Sequence, residues 1–321
     1  MTPPTVLTAA TLAPAPRPTM YFIGVTTGSS SIQRIFPIWA AELGLDAQLV
    51  GIDLPLHAPA AQYRQVTRFI RSDPNSAGAL VTTHKIDLYQ AAGELFDRRD
   101  PLAELMGEVS SISKRAGELW CHAKDPISAG HALDAITPPG YWAAHPGAEI
   151  YCLGAGGSAI AISWYLSRPE RGADRPAKIV VSNRSAPRLD ALGALWPKLA
   201  TDTPLELNLC PAPGQNDAVV AAAAPGSLVV NASGLGKDAP GSPLTDEAVL
   251  PQDGIVWDLN YRGDLVFLDQ ARAQSDERRL AVHDGWVYFL HGWTQVIQEV
   301  FHIEIPPAGP KFDRLSTLAA R

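Results

Sequence analysis

The sequence predicts an α/β chain of two domains, an N-terminal α/β domain and a C-terminal Rossmann dinucleotide-binding domain. Three observations carry that expectation. The length of 321 residues, at 46% hydrophobic and 18% charged, leaves room for about two self-sufficient cores. Short apolar or β-branched runs alternate with helix-like segments along most of the chain, the pattern of a parallel sheet covered on both faces. The run Ile150-Tyr-Cys-Leu-Gly154-Ala155-Gly156-Gly157-Ser158-Ala159 leads from a strand through a glycine turn into an apolar helix over 160–166, which is the context a G-x-G-x-x-A turn requires.

In chain order, residues 21–25 read as a strand and 32–43 as a helix that Gly44 ends. A second strand follows at 48–54, a second helix at 60–71, a third strand at 79–82 and a third helix at 86–94. The segment 110–121 has a different texture: Arg115-Ala-Gly117 forms a hairpin turn between two short strands. A helix over 126–136 leads to Thr137-Pro-Pro-Gly-Tyr-Trp-Ala-Ala-His-Pro-Gly147, whose five Pro and Gly residues mark the expected domain boundary. Beyond it the alternation restarts, with strands expected at 149–153, 178–182, 205–209, 228–231, 255–259 and 279–283. The last amphipathic stretch, 287–301, has no strand after it and is expected to return, with the residues up to 321, to the first domain. The domain spans are thus 20–136 and 137–286.

Composition narrows the function class. A net charge of −7 argues against nucleic-acid binding, whose footprint is a basic patch. Residues 1–19 hold five prolines and no basic n-region, so they read as a disordered leader and not as a secretory signal. No run of about 18 apolar residues exists to span a membrane. Cys121, Cys152 and Cys210 match neither a disulfide framework nor a metal-ligand spacing. The expectation is a cytoplasmic protein without metal, monomeric or homodimeric, acting on a small molecule.

The glycine turn lets backbone approach a pyrophosphate, and the helix after it supplies N–H donors and a positive dipole. The next strand selects the dinucleotide. NAD enzymes usually place an acid at its end for the ribose 2′-hydroxyl, whereas a 2′-phosphate needs positive charge. Here the strand end reads Val181-Ser-Asn183-Arg184-Ser185, followed by Arg188, with no acid in that stretch. A guanidinium fork suits phosphate, so the expected cofactor is NADP.

From about Tyr21 to Phe301 the chain resembles the shikimate/quinate dehydrogenase family. The matching pieces are Gly24 to Ser31, Gly78-Ala-Leu-Val-Thr82-Thr-His84-Lys85, Gly107-Glu-Val-Ser110-Ser111, Lys124-Asp125, Gly154 to Gly157, Asn183-Arg184-Ser185, Asn231-Ala-Ser233, Asp258-Leu-Asn-Tyr261 and Asp284-Gly285. The resemblance implies a substrate-binding α/β domain, a Rossmann domain and a cofactor cleft between them. It assigns Lys85 and Asp125 as the pair facing the substrate hydroxyl. Hydride transfer needs a proton moved at the oxygen, a positioned lysine can move it, and a neighbouring carboxylate favours the charged amine. The resemblance also places Asn231, Ser233 and Gly285 on the cofactor, and Ser29, Ser31, Thr82, Ser110, Lys124, Tyr261, Tyr288 and His291 toward the substrate.

The departures concentrate in the substrate half. The family's lysine motif has a proline and one more residue than Val81-Thr-Thr-His-Lys85; its Asn-Thr pairs become Ser110-Ser111 and Ala123-Lys124; its glutamine aligns, with one deletion, on His291. Lost amide contacts reshape hydrogen-bond selectivity, so the expected substrate differs from shikimate. Lys124 would add a cation for an anionic substrate, and His84 and His122 are further candidates for the site. A non-catalytic metabolite-binding regulator on the same fold is the alternative.

Overall fold

The computed structural model describes residues 5–237 and 239–320. The chain divides into two compact units: one takes the chain up to Lys124 and again from Gly292 onward, and the other is Asp125–His291. Among the described residues no helix is long and apolar enough to cross a membrane.

The first unit is built on strands β1 (Val6–Thr8), β2 (Thr19–Gly24), β3 (Gln48–Asp53), β4 (Ser76–Val81), β5 (Arg98–Arg99), β6 (Ser111–Arg115) and β7 (Glu118–His122). They lie in the order β1-β3-β2-β4-β6-β7-β5. The pairs from β1 to β4 are parallel, β6 is antiparallel to both β4 and β7, and β5 is parallel to β7. All six residues of β2 are buried, as a central strand with both faces covered demands. The helices Ile32–Glu42, Ala60–Ser72 and Lys85–Ala92 supply that cover.

Two expectations are corrected here. Residues 1–4 lie outside the described residues, but 5–19 are an ordered sheet edge, not a disordered leader. Val6–Thr8 pair with Gly51–Asp53, and Gly51 N donates to Thr5 O at 3.0 Å. Ala9 and Ala15 are buried, and Gln65 Nε2 donates to Ala9 O at 2.8 Å. An uncovered β3 would expose a row of unpaired backbone groups, and this proline-rich segment removes that edge. The domain boundary also moves, to Lys124/Asp125. The helix Asp125–Ile136 belongs to the second unit because Gly130 lets it lie directly on the Tyr165 ring of the helix Gly157–Ser167. The proline-glycine stretch near 137–147 is instead a turn carrying the short helix Tyr141–Ala144, with Trp142 in the second unit's core.

The second unit is a parallel sheet of β8 (Ile150–Leu153), β9 (Ile179–Asn183), β10 (Leu205–Leu209), β11 (Leu228–Asn231), β12 (Ile255–Asp258) and β13 (Ala281–His283), in the order β10-β9-β8-β11-β12-β13. The chain steps outward from β8 through β9 to β10, then returns to β11 on the other side. The order reverses between β8 and β11, the position where open α/β sheets bind ligands beyond the strand carboxyl ends. β8, β11 and β12 are wholly buried, while the edge strand β10 has no fully buried residue and exposes Glu206 and Leu209. This is the Rossmann architecture expected from the sequence.

Candidate active site

The glycine turn closes β8. Gly154 holds φ +118°, and a side chain there would place its Cβ 2.5 Å from the Ala232 carbonyl oxygen; its N–H donates to Ser182 O at 2.8 Å. Only glycine fits both the backbone angle and that approach. Ala155 is buried. Gly156 occupies the N-cap of the helix Gly157–Ser167, and no atom lies within 4 Å of where its Cβ would stand. The turn therefore presents open backbone at a helix N-terminus, which fits a pyrophosphate. Ser158 follows in the first turn, and Tyr288 Oη donates to its hydroxyl at 3.4 Å.

At the end of β9, Asn183 Nδ2 donates to Ser185 O at 2.9 Å and to Ser185 Oγ at 3.1 Å, fixing the turn. Ser185 is the N-cap of the helix Ala186–Leu195. Arg184 and Arg188 are exposed and make no ion pair among the described residues. Two guanidinia without counter-ions, and no acid at the strand end, fit a 2′-phosphate.

The end of β11 is internally bonded. Asn231 Oδ1 accepts from Ser233 N at 3.1 Å and Ser233 Oγ at 2.6 Å, while Asn231 Nδ2 donates to Leu235 O at 3.1 Å and Asp258 Oδ1 at 3.2 Å. Asp258 is fully buried, and burial pushes its carboxyl up to about 6 against the opposing hydrogen bonds from Asn260 and Asn231. Gly285 N donates to Asn260 O at 3.0 Å and stands just before the helix Trp286–Phe301. Tyr261 packs against Trp286 and Phe289 at 5.2 and 4.8 Å between ring centroids. His291 is buried 5.3 Å from the His131 ring, and desolvation, aided by His131, pushes its imidazole down to about 3. It is a neutral group at any physiological pH.

In the first unit, Ser29 Oγ donates to Thr26 O at 2.9 Å, and Ser31 is the N-cap of the helix Ile32–Glu42. Thr82 follows β4. Thr83 then adopts φ +37°, an uncommon conformation for a β-branched residue, and His84 N donates back to Thr82 O. This tight turn is how the shortened, proline-free loop delivers Lys85 to the start of its helix. Asp125 opens the second unit as the first residue of its helix.

Several expected substrate contacts are engaged within their own unit. Ser110 Oγ donates to His122 O at 3.3 Å and accepts from Lys124 N at 2.5 Å. Lys124 Nζ lies 2.6 Å from Glu299 Oε2. His122 sits among Ser113 Oγ at 3.0 Å, Asp100 Oδ2 at 3.3 Å and Glu299 Oε1 at 3.4 Å. Burial would raise the Glu299 carboxyl, but the Lys124 hydrogen bond and the charges of His122, Lys124 and Arg115 hold it below the usual glutamate value. His84 is buried with Nδ1 3.0 Å from Tyr63 Oη. Glu299 and Tyr63 were invisible as neighbours of Lys124 and His84 in the sequence, since each is brought in by a distant segment and no spacing announces it.

Known proteins resemble the chain throughout its length. It is 28% identical over 304 residues to a shikimate dehydrogenase (NADP+) of Methylocella silvestris, covering 94% of this chain and 96% of that protein. It is 30% identical over 260 residues to a shikimate dehydrogenase (NADP+) of Symbiobacterium thermophilum, covering 78% and 81%. Among solved structures, quinate dehydrogenase from Corynebacterium glutamicum in complex with NAD superposes with a TM-score of 0.71 at 18% identity, over 94% of this chain and 98% of that one. No family model matches the chain.

Proposed function

The chain belongs to the shikimate dehydrogenase family, and from that premise we propose that it is an NADP-dependent oxidoreductase acting between hydroxyl and ketone on a cyclic polyol or hydroxy acid related to shikimate or quinate. Bound NADP supplies the hydride donor or acceptor. The turn from Gly154 to Ser158 holds the pyrophosphate through backbone N–H groups, and Arg184 and Arg188 hold the 2′-phosphate beside Asn183 and Ser185. The rigid ends of β11 and β12, with Asn231, Ser233 and Gly285, support the nicotinamide side.

Lys85 gives or takes the proton at the substrate oxygen, and Asp125 favours the charged amine; this pair rests on matching the family's motif residue by residue. Ser29, Ser31, Thr82, Tyr261, Tyr288 and neutral His291 are the remaining candidate contacts. The Lys124 ammonium is held by Glu299, which also pairs with Arg115, so Lys124 is engaged within its own unit and is not an unpaired cation awaiting an anionic substrate. With the Ser110 hydroxyl also engaged, the substrate is oxygenated differently from shikimate. Three buried, unpaired cysteines favour a reducing, cytoplasmic setting.

The observation that carries this reading is the pair of unpaired guanidinia beyond an open glycine turn. The test is turnover of a panel of ring hydroxy acids and cyclitols with NADP and NAD, repeated with Lys85→Ala. Expected is NADP-linked turnover that Lys85→Ala lowers by about 10²-fold or more while NADP affinity stays unchanged. Tight binding of a panel member without any turnover would instead establish a metabolite-binding regulator.

A further inference from the structure

The sheet of the second unit ends in an open edge. Among the described residues β10 (Leu205–Leu209) is the outermost strand, and β9 is its one ladder partner. Successive residues of a strand point their N–H and C=O groups to opposite sides. Pro204 O accepts from Ile179 N at 2.9 Å, and Cys210 N donates to Asn183 O at 2.8 Å, so the even-numbered positions face β9. The backbone groups of Leu205, Leu207 and Leu209 therefore face outward. Natural sheets blunt such edges with very short strands or with charges. The other terminal strands fit that rule: β1 and β13 have three residues each, and β5 is the pair Arg98–Arg99. β10 has five residues and no basic one, and Leu209 is 52% exposed. Leu205 and Leu207 pack against the second unit's core, which holds the strand extended.

We infer that β10 is the interface of a homodimer, in which it pairs antiparallel with β10 of a second copy about a two-fold axis at Leu207. Such an interface needs a self-complementary surface, and Leu205-Glu-Leu-Asn-Leu209 reads nearly the same in both directions. The axis sets Leu207 opposite Leu207, Leu205 opposite Leu209, and Glu206 opposite Asn208. Each leucine pair exchanges two N–H···O bonds, and the leucine side chains meet on one face as cross-strand contacts. The inference is independent of the reading of Lys85 and of the cofactor.

The sequence around the strand excludes the neighbouring registers. An axis at Glu206 would set two carboxylates directly opposite each other, which is destabilising. It would also bring Leu209 against Thr203, whose N–H already donates to Thr201 Oγ1 at 3.1 Å. An axis at Asn208 would bring Leu205 against Pro211, which has no N–H to give. The axis at Leu207 keeps every outward pair and sets an amide against a carboxylate. Lys178 Nζ lies 2.8 Å from Glu206 Oε2, and Asn208 Nδ2 donates to Glu206 Oε1 at 3.0 Å. An amide nitrogen carries two N–H donors, so Asn208 keeps one for the carboxylate of the second copy.

The test is sedimentation velocity of the full chain over about 1–100 μM, which should show a monomer converting to a dimer. Asn208→Glu opposes carboxylates at both symmetry-related positions and should weaken the dimer about tenfold or more. Asn208→Lys sets an ammonium against each carboxylate and should tighten it by a similar factor. Leu209→Lys should weaken it, since it replaces an exposed leucine of the ladder by a charge. Circular-dichroism melts of the variants confirm the fold, which an edge substitution leaves intact. A monomer at every concentration overturns the proposal. So does a dimer that Asn208→Glu and Leu209→Lys leave unchanged, because its interface then lies elsewhere on the chain.

Discussion

Lys124 Nζ and Glu299 Oε2 stand 2.6 Å apart with 16% and 11% of their side chains exposed, so the cation immediately before the candidate catalytic aspartate has a counter-ion from the last long helix. Arg115 reaches the other Glu299 oxygen at 2.8 Å, and one carboxylate thereby serves two cations and His122.

Glu299→Gln should destabilise the first unit by about 3 kcal/mol at neutral pH, because removing one partner leaves Lys124 buried without its counter-charge. The pH dependence has a defined sign. The folded Glu299 carboxyl is held below its ordinary value, so its contribution is present above the unfolded glutamate range and is lost as pH falls through the folded value. Denaturant unfolding between pH 3 and 7, as an approximate range, should show a shallower acid decline in the variant. An identical decline would refute the coupling.

Asp258 titrates with the opposite sign. Its folded value near 6 lies above the ordinary aspartate value, so stability is greatest below that ordinary value and declines as pH rises through about 6. Asp258→Asn keeps an acceptor for Asn231 and removes the buried charge. The variant should gain on the unmodified protein above pH 6, by up to about 3 kcal/mol. Urea midpoints measured at pH 5 and pH 8 would check this, and an equal difference at the two values would contradict it.

Arg184→Ala should weaken NADPH binding about tenfold or more, the scale of one hydrogen bond to a charged group, and leave NADH nearly unaffected. Arg188→Ala should act in the same direction, and the double variant should lose most discrimination between the two. Fluorescence titration with each reduced cofactor measures the ratio directly. Equal losses for both cofactors would remove the guanidinia from the 2′-phosphate.

Gly154→Ala should abolish dinucleotide binding and cost about 2 kcal/mol or more, since the new Cβ meets the Ala232 carbonyl at 2.5 Å in a left-handed backbone region. Gly156→Ala offers the contrast: its Cβ would enter open space, so the fold should tolerate it while cofactor affinity falls. Thermal melts with and without NADP separate the two cases.

Much of this was readable along the chain. The β8 strand, its glycine turn and the following helix are local, and Gly154 occupies them as the pattern required. The hairpin about Arg115–Gly117 likewise follows from turn chemistry, with strands Ser111–Arg115 and Glu118–His122 on either side. The segment 5–19 did not read true. Its prolines suggested disorder, but composition carries no information about an exposed strand edge elsewhere that needs covering.

The sequence by itself determined the two-domain α/β class, the open turn for a pyrophosphate and the positive strand end, because periodicity and turn chemistry act over a few residues. Tertiary structure alone decided which side chains answer one another. Glu299 pairs with Lys124 across 175 positions, and Tyr63 meets His84 and Asp87 because its helix packs against the tight turn and helix that follow β4. Hydrogen bonds and ion pairs require contact within about 3 Å, and only the packing of distant segments sets that distance.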